Sequence, residues 1–192
     1  SICVIPKDYP YEVIIVDDGS TDKCIEMIEK YPVTLIKLPA NGGPSIARNT
    51  GVAQARNDII LFLDSDVVVE KDILQRIVKN FEEKKVDCVV GLFSKENPFT
   101  DFFSQYKSLY CNYKYRSIKG TAAINTAIAA IKKDVFRKME GFNTKMMAAE
   151  DNELANRLSQ NGYKIVVDCD MEVIHLKKFN FFSLMKNDYK KS

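Results

Sequence analysis

Ile59-Ile60-Leu61-Phe62-Leu63-Asp64-Ser65-Asp66 is the stretch on which the fold of this chain turns. Its first five residues form a short, nearly unbroken apolar run, β-branched at the start, as expected of a strand buried on both faces of a parallel sheet. Two carboxylates then stand where a central strand ends. In open α/β sheets that carboxyl edge is where ligands bind. Two hard oxygen ligands one residue apart suit Mg²⁺ or Mn²⁺ held together with a substrate's phosphates. Taken alone, D-x-D also reads as the start of a turn with Asp64 as a cap, so the surrounding chain has to decide.

Outward from this stretch, strands and helices alternate. Ser1 to Pro6 reads as a first strand and Glu12 to Val16 as a second. Asp17-Asp18-Gly19-Ser20-Thr21-Asp22 is an acidic turn before a helical pattern at Cys24, Ile25 and Ile28. Thr34 to Leu38 is the next strand. Asn41-Gly42-Gly43-Pro44 allows a tight backbone before a helix from Ser45 to Ala55. After Asp66, Ile73, Leu74, Ile77, Val78 and Phe81 share one helical face, and Asp87 to Phe93 is a further strand.

The pattern changes at Phe99. Phe99, Phe102, Phe103, Tyr106, Tyr110 and Tyr113 recur at three- and four-residue steps among Lys107, Lys114, Arg116 and Lys119. The plain expectation is an amphipathic helix with its aromatic face on the core and its lysines in solvent. The sharper one is a sugar platform or a surface meeting lipid headgroups. Thr121 to Ile131 reads as a buried strand or wall, and Gly141-Phe142 as a turn. Ala149-Glu150-Asp151-Asn152 opens a helix that ends at Asn161-Gly162. Tyr163 to Val167 and Met171 to Ile174 read as closing strands, followed by His175, the only histidine, and a Phe- and Lys-rich tail.

A chain of 192 residues, 46% hydrophobic, fits one domain with a single sizeable core. The net charge of +2 demands no nucleic-acid partner. Five scattered cysteines without C-x-x-C spacing indicate neither a disulfide framework nor a zinc site, and fit a reducing cytoplasm. No apolar run approaches the roughly 20 residues that span a bilayer. The expected place is the cytoplasm, extending to the inner face of the membrane.

In series, Val16-Asp17-Asp18-Gly19-Ser20-Thr21-Asp22, Asn41-Gly42-Gly43, Ala47-Arg48-Asn49-Thr50-Gly51, Leu63-Asp64-Ser65-Asp66 and Glu150-Asp151 resemble the family 2 glycosyltransferases of the GT-A fold. The resemblance runs from Ile2 to about His175. It implies a Rossmann-like α/β domain with a mixed, mainly parallel sheet flanked by helices. It also implies a nucleotide-sugar donor, usually a UDP-sugar, a divalent Mn²⁺ or Mg²⁺, and inverting transfer to a saccharide or lipid-linked acceptor in cell-surface polysaccharide or glycolipid synthesis. In residue terms it implies Asp18 at the nucleotide base, with Asp17, Ser20 and Pro6 shaping that pocket. Asn41, Gly42 and Arg48 flank base and ribose, Asp64 and Ser65 lie at the ribose and metal, and Asp66 ligates the metal. Asp151 matches the general base, Glu150 its neighbour, and His175 a second metal ligand. Residues 1–98 then form the nucleotide-sugar and metal half, and 99–192 the acceptor half.

The family has a helix between its first two strands, and the chain between Pro6 and Tyr11 is too short to form it or to make a parallel crossover. A helix is therefore expected to be missing there, and Pro6 becomes the least anchored assignment. The C-terminal region resembles one that in some relatives leads into membrane-associated segments, although a tail packed on the domain is the plainer expectation. Two other functions fit parts of the pattern. A metal-dependent sugar nucleotidyltransferase would want a Gly-rich basic loop after the first strand, where Lys7-Asp8-Tyr9-Pro10 stands instead. A non-catalytic nucleotide-binding domain would not need Asp18, Asp64, Asp66 and Asp151 together. Oligomeric state is not indicated.

Overall fold

The computed structural model describes residues 10–117, 124–146 and 148–189. In chain order the elements are β1 (Ile14–Asp17), α1 (Cys24–Ile28), β2 (Thr34–Lys37), α2 (Pro44–Gln54), β3 (Ile59–Leu63), β4 (Val67–Val69) and α3 (Ile73–Lys84). They continue as β5 (Cys88–Phe93), α4 (Phe102–Arg116), β6 (Ile128–Lys132), α5 (Lys133–Lys138), α6 (Glu150–Gln160), β7 (Ile165–His175) and α7 (Phe181–Tyr189). The expected first strand and Pro6 lie outside the described residues, as does the segment from Thr121 to Ala123. The expected break between Pro6 and Tyr11 falls there too.

β1 and β2 pair in parallel, and a second sheet has the order β3-β6-β5-β7-β4. β5 and β7 are parallel, whereas β6 runs antiparallel to both β3 and β5, and β4 antiparallel to β7. The sheet is mixed, as expected, with β3, β5 and β7 pointing one way. The expectation that Ile59 to Leu63 is a doubly buried strand of a parallel sheet is corrected. β3 pairs with antiparallel β6 and is buried only at Ile60 and Phe62, with Leu63 exposed. The strands buried throughout are β5 up to Leu92 and β6 up to Ile131.

Because successive strand side chains point to opposite faces, β5 and β6 feed two cores. Cys88, Val90, Ala129 and Ile131 join Val52, Phe62, Phe136, Phe142, Leu154 and Leu158 beneath α2, α5 and α6. Val89, Ile128 and Ala130 join Ile73, Ile77, Met171 and Val173 beneath α3. Phe62, Phe136 and Phe142 form a ring cluster with centroids 5.2–5.5 Å apart.

β7 is one continuous strand where two were expected. It lies between two partners: Ile165–Val167 and then Glu172–Val173 pair with Cys88–Val90 and Leu92–Phe93 on one side, and Val173–His175 pair with Val69–Val67 on the other. The register shifts between Val90 and Leu92. At Gly91, between them, a Cβ would stand 2.3 Å from the Met171 carbonyl oxygen. β4, α5 and α7 go beyond the elements expected from the sequence.

α4 reverses the plain expectation for its faces. Its buried residues are Ser104, Lys107, Ser108 and Asn112, while Phe102, Tyr106, Tyr110 and Tyr113 are exposed. The buried side covers chain segments whose backbone groups need partners. Ser104 Oγ accepts from the Phe179 amide (2.8 Å) and Asn112 Nδ2 donates to the Phe93 carbonyl (2.6 Å). Small polar side chains satisfy these groups where aromatic rings could not. Among the described residues no helix is long and apolar enough to cross a membrane, and Cys24, Cys88, Cys111 and Cys169 are free thiols.

Candidate active site

Three small constructions use the residues singled out in the sequence. The first begins where β1 ends. Gly19 takes a left-handed backbone (φ +87°), which a side chain would resist, and turns the chain back toward 41–43. The Asp17 carboxylate accepts from the Ser20 amide at 3.2 Å. Both Asp18 carboxylate oxygens accept backbone amides, from Gly42 at 2.6 Å and Gly43 at 2.8 Å, and Asn41 Nδ2 donates to the Asp18 carbonyl at 3.0 Å. Gly43 is the N-cap of α2 and has no side chain with which to cap it. The Asp18 carboxylate therefore serves the amides just ahead of this helix, where its dipole favours negative charge. Asp17, Asp18, Ser20, Asn41 and Gly42 thus come together, and Asp18 is anchored rather than free.

The second construction centres on Arg48. Its guanidinium donates to Glu150 (2.8 Å) through one nitrogen and to Asp64 (3.0 Å) through another, and lies 5.6 Å above the Phe142 ring. The planar fork of arginine suits such a two-carboxylate bridge. Neighbouring Asn49 exchanges two hydrogen bonds with the Phe142 backbone, at 2.8 and 2.9 Å, which fixes that ring beneath the guanidinium. Arg157 closes the same turn from α6, donating to the Met139 and Gly141 carbonyls and to Glu153. The strand end at β3, helix α2 and the first residue of α6 are joined in this way.

Asp151 is the second residue of α6. The N-cap is Ala149, so the plain reading of Asp151 as the cap does not hold. Its carboxylate accepts from the Asn152 amide at 2.8 Å. Burial pushes the Tyr115 phenol above its ordinary range, with the charges of Asp151, Cys111 and Asp64 adding to the effect. Tyr115 was missed in the sequence because it sits in an aromatic run where nothing separates the inward ring from the outward ones.

The third construction is a pair. Val67 lies opposite His175 in the β4–β7 ladder, and the Leu176 amide donates to the Asp66 carbonyl at 2.7 Å. This brings Asp66 Oδ2 within 3.2 Å of His175 Nε2. The hydrogen bond to His175 holds the Asp66 carboxyl below its ordinary range against the opposing effect of burial, helped by the charges of His175 and Lys177. Phe93 and Phe179 pack on the imidazole with centroids at 4.9 and 6.3 Å. Ser65 is exposed in the turn between the two aspartates. Asp64 and Asp66 therefore have different partners, arginine for one and histidine for the other.

No group of three or more His, Cys, Asp or Glu side chains among the described residues could hold a metal ion. Asp66 and His175 offer one carboxylate oxygen and one imidazole nitrogen, close enough to share an ion. Mg²⁺ and Mn²⁺ are often held by one or two protein groups with substrate phosphates completing the shell. The donor pair fits such an ion.

Known proteins show the same arrangement of chain. The solved mannosyltransferase PcManGT from Pyrobaculum calidifontis, in complex with GDP-Man and Mn²⁺, superposes with a TM-score of 0.70 at 21% identity, over 96% of this chain and 57% of that one. The structure of Staphylococcus aureus TarS 1-349 in complex with UDP gives 0.66 at 23% identity, covering 86% of this chain and 52% of that one. Both share the GT-A fold. In sequence, the O-antigen chain rhamnosyltransferase WbaN of Salmonella anatum is 29% identical over 182 residues, 86% of this chain and 56% of WbaN. The pre-mycofactocin glycosyltransferase of Mycobacterium tuberculosis is 28% identical over 165 residues, 80% of this chain and 35% of that protein. The chain spans about half or less of the length of these relatives. The family model for glycosyl transferase family 2 matches residues 1–140. With that match across most of its length, and on a GT-A fold, the chain belongs to glycosyl transferase family 2.

Proposed function

We propose that this glycosyltransferase moves a sugar from a nucleotide-diphosphate donor, with a UDP-sugar as the leading candidate, to an acceptor hydroxyl with inversion at the anomeric carbon. The observation that carries the reading is the Arg48 bridge. It ties Asp64 at the end of β3 to Glu150 at the start of α6, and so sets Asp151 in register with the D-x-D turn. On this reading residues 1–98 form the donor half and 99–192 the acceptor half. The Asp17–Ser20 turn with Asn41 and Gly42 receives the nucleotide. Asp18 acts there by shaping the amides of the 42–43 segment, and Ser65 and Asp64 border the ribose.

Single displacement needs a proton acceptor on the face opposite the leaving group. A positioned carboxylate can accept that proton, and Asp151, in the first turn of α6, takes this role. Glu150, engaged by Arg48, is a positioning residue. Asp66 and His175 would hold Mn²⁺ or Mg²⁺, which when bound neutralises the growing charge of the departing diphosphate. The acceptor is a saccharide or a lipid-linked sugar, and the names of WbaN and TarS, the latter a poly(ribitol-phosphate) β-N-acetylglucosaminyltransferase, favour cell-surface polymers.

The test has two stages. Calorimetric titration of UDP, GDP, dTDP and CDP, each with Mn²⁺ and again with EDTA, is expected to give metal-dependent binding of one nucleotide, and Asp66→Asn is expected to weaken it. Asp151→Asn should bind donor as the parent does but turn over at least about a hundredfold more slowly. Full turnover by Asp151→Asn would remove it as the base. An anomeric configuration retained in the product, read by NMR, would overturn inversion.

A further inference from the structure

The exposed aromatic face of α4 does not end with that helix. Phe102, Tyr106, Leu109, Tyr110 and Tyr113 fall at three- and four-residue steps, and Phe102, Tyr106 and Tyr110 stack in a ladder with centroids 6.2 and 6.1 Å apart. Phe102 meets Phe103 at 5.4 Å, Phe103 meets Phe181 at 6.0 Å, and Phe181 meets Phe182 at 5.6 Å. These ring contacts join the face to α7, whose Phe181, Phe182, Met185 and Tyr189 are also exposed while Leu184 is buried. Phe182 is 81% exposed and Tyr113 73%. Two adjoining amphipathic helices thus present one continuous aromatic surface, far more than the scattered apolar residues of an ordinary surface.

Charge identifies what this surface meets. Segments 102–116 and 176–189 carry six lysines and arginines and one aspartate, a net +5, in a chain whose total is +2. The rest of the molecule is therefore net acidic, and the basic excess is gathered where the rings are. Lys114, Arg116, Lys177, Lys178 and Lys186 are exposed. Two copies of so basic a face would repel one another. Rings at the level of lipid headgroups, with lysines against anionic phosphates, make a favourable pairing. The face also adjoins the site, since Phe179 packs on His175 just ahead of α7.

We infer that the α4–α7 face docks on an anionic phospholipid bilayer surface. This does not depend on the sugar-transfer reading, and its test uses no donor. The purified chain is sedimented with vesicles of phosphatidylcholine alone and with equimolar phosphatidylcholine and phosphatidylglycerol. It is expected to pellet with the mixed vesicles, to be released by high salt, and to stay in solution with phosphatidylcholine alone. Lys114→Glu and Lys186→Glu should each weaken binding at least about fivefold. Tyr113→Ser combined with Phe182→Ser should weaken it at least about tenfold, with melting curves like the parent's because these side chains are exposed. No pelleting with either vesicle, equal binding to both, or variants that bind like the parent would overturn the proposal. So would a dimer, seen by light scattering, that the ring substitutions dissociate, since that would assign the face to a second copy.

Discussion

Arg48 shows how much of this site rests on single side chains. Its guanidinium satisfies two carboxylates, and the Glu150 side chain is only 12% exposed, so removing the cation would leave a largely buried charge alone. Such a loss costs about 3 kcal/mol, whereas removing both members of a pair costs much less. Arg48→Met is therefore expected to lower the urea midpoint strongly, and Arg48→Met with Glu150→Gln to regain most of the difference. The double-mutant cycle measures the coupling directly. Additive losses would mean that the bridge contributes nothing and that Glu150 is held by its helix alone. Asp66 behaves differently because its partner, His175, is itself a candidate ligand. The pair is built by strand register rather than by burial, and it is 109 residues apart in sequence.

Strand register is the concern at the next scale. The β5–β7 pairing shifts at Gly91, and this shift lets one strand pair with Cys88–Val90 in its first part and still bring His175 alongside Val67. A Cβ at this position would collide with a backbone oxygen that cannot rotate away. Gly91→Ala is accordingly expected to cost about 2–3 kcal/mol, as overpacking does, and to weaken metal-dependent nucleotide binding together with stability. A variant as stable as the parent would show that the strands can slide apart there without loss. Helix α4 offers a second test. Its N-cap, Asp101, accepts from the Ser104 amide at 3.0 Å, and this hydrogen bond holds the Asp101 carboxyl below its ordinary range. A depressed folded-state pKa stabilises fully above the unfolded aspartate value of about 4 and loses its effect as pH falls through the folded value. Asp101→Ala should thus melt below the parent at neutral pH, with the two curves converging under strong acid. These elements also show what the sequence could convey. The βα alternation up to Phe93 was legible because each apolar run is short and bounded by turn residues. The antiparallel insertion of β6 was not, since a buried run of Ile and Ala looks alike in either direction. Periodicity placed the α4 rings on one face, yet it could not tell that Ser104 and Asn112 were needed inside to meet backbone groups, and Ser108 to meet the Asn97 side-chain amide.

For the molecule as a whole, the candidate site is legible to the extent that its pieces are contiguous. The Asp17–Ser20 turn, the Asn41-Gly42-Gly43 segment and the D-x-D turn each announce themselves locally. Their partners do not, because Arg48 reaches Glu150 and Asp64 only after the chain has folded. A site assembled from residues 17 to 175 cannot survive unfolding of any one part. A nucleotide that needs all of it must therefore bind the native state alone, and must stabilise the entire domain rather than one loop. At a hundredfold excess over its dissociation constant, such a ligand contributes about 2.7 kcal/mol. For a chain of this size each kcal/mol raises the melting temperature by about 2–4 °C, so the bound nucleotide with Mn²⁺ is expected to add about 5–10 °C. EDTA should remove most of that gain in the parent, and Asp66→Asn should show little of it from the start, whereas Asp151→Asn should keep it. A shift of the same size with and without metal would mean that the nucleotide is held by the Asp18 turn without the Asp66–His175 pair. A shift lost in Asp151→Asn would mean that this carboxylate belongs to donor binding instead of to the transfer step.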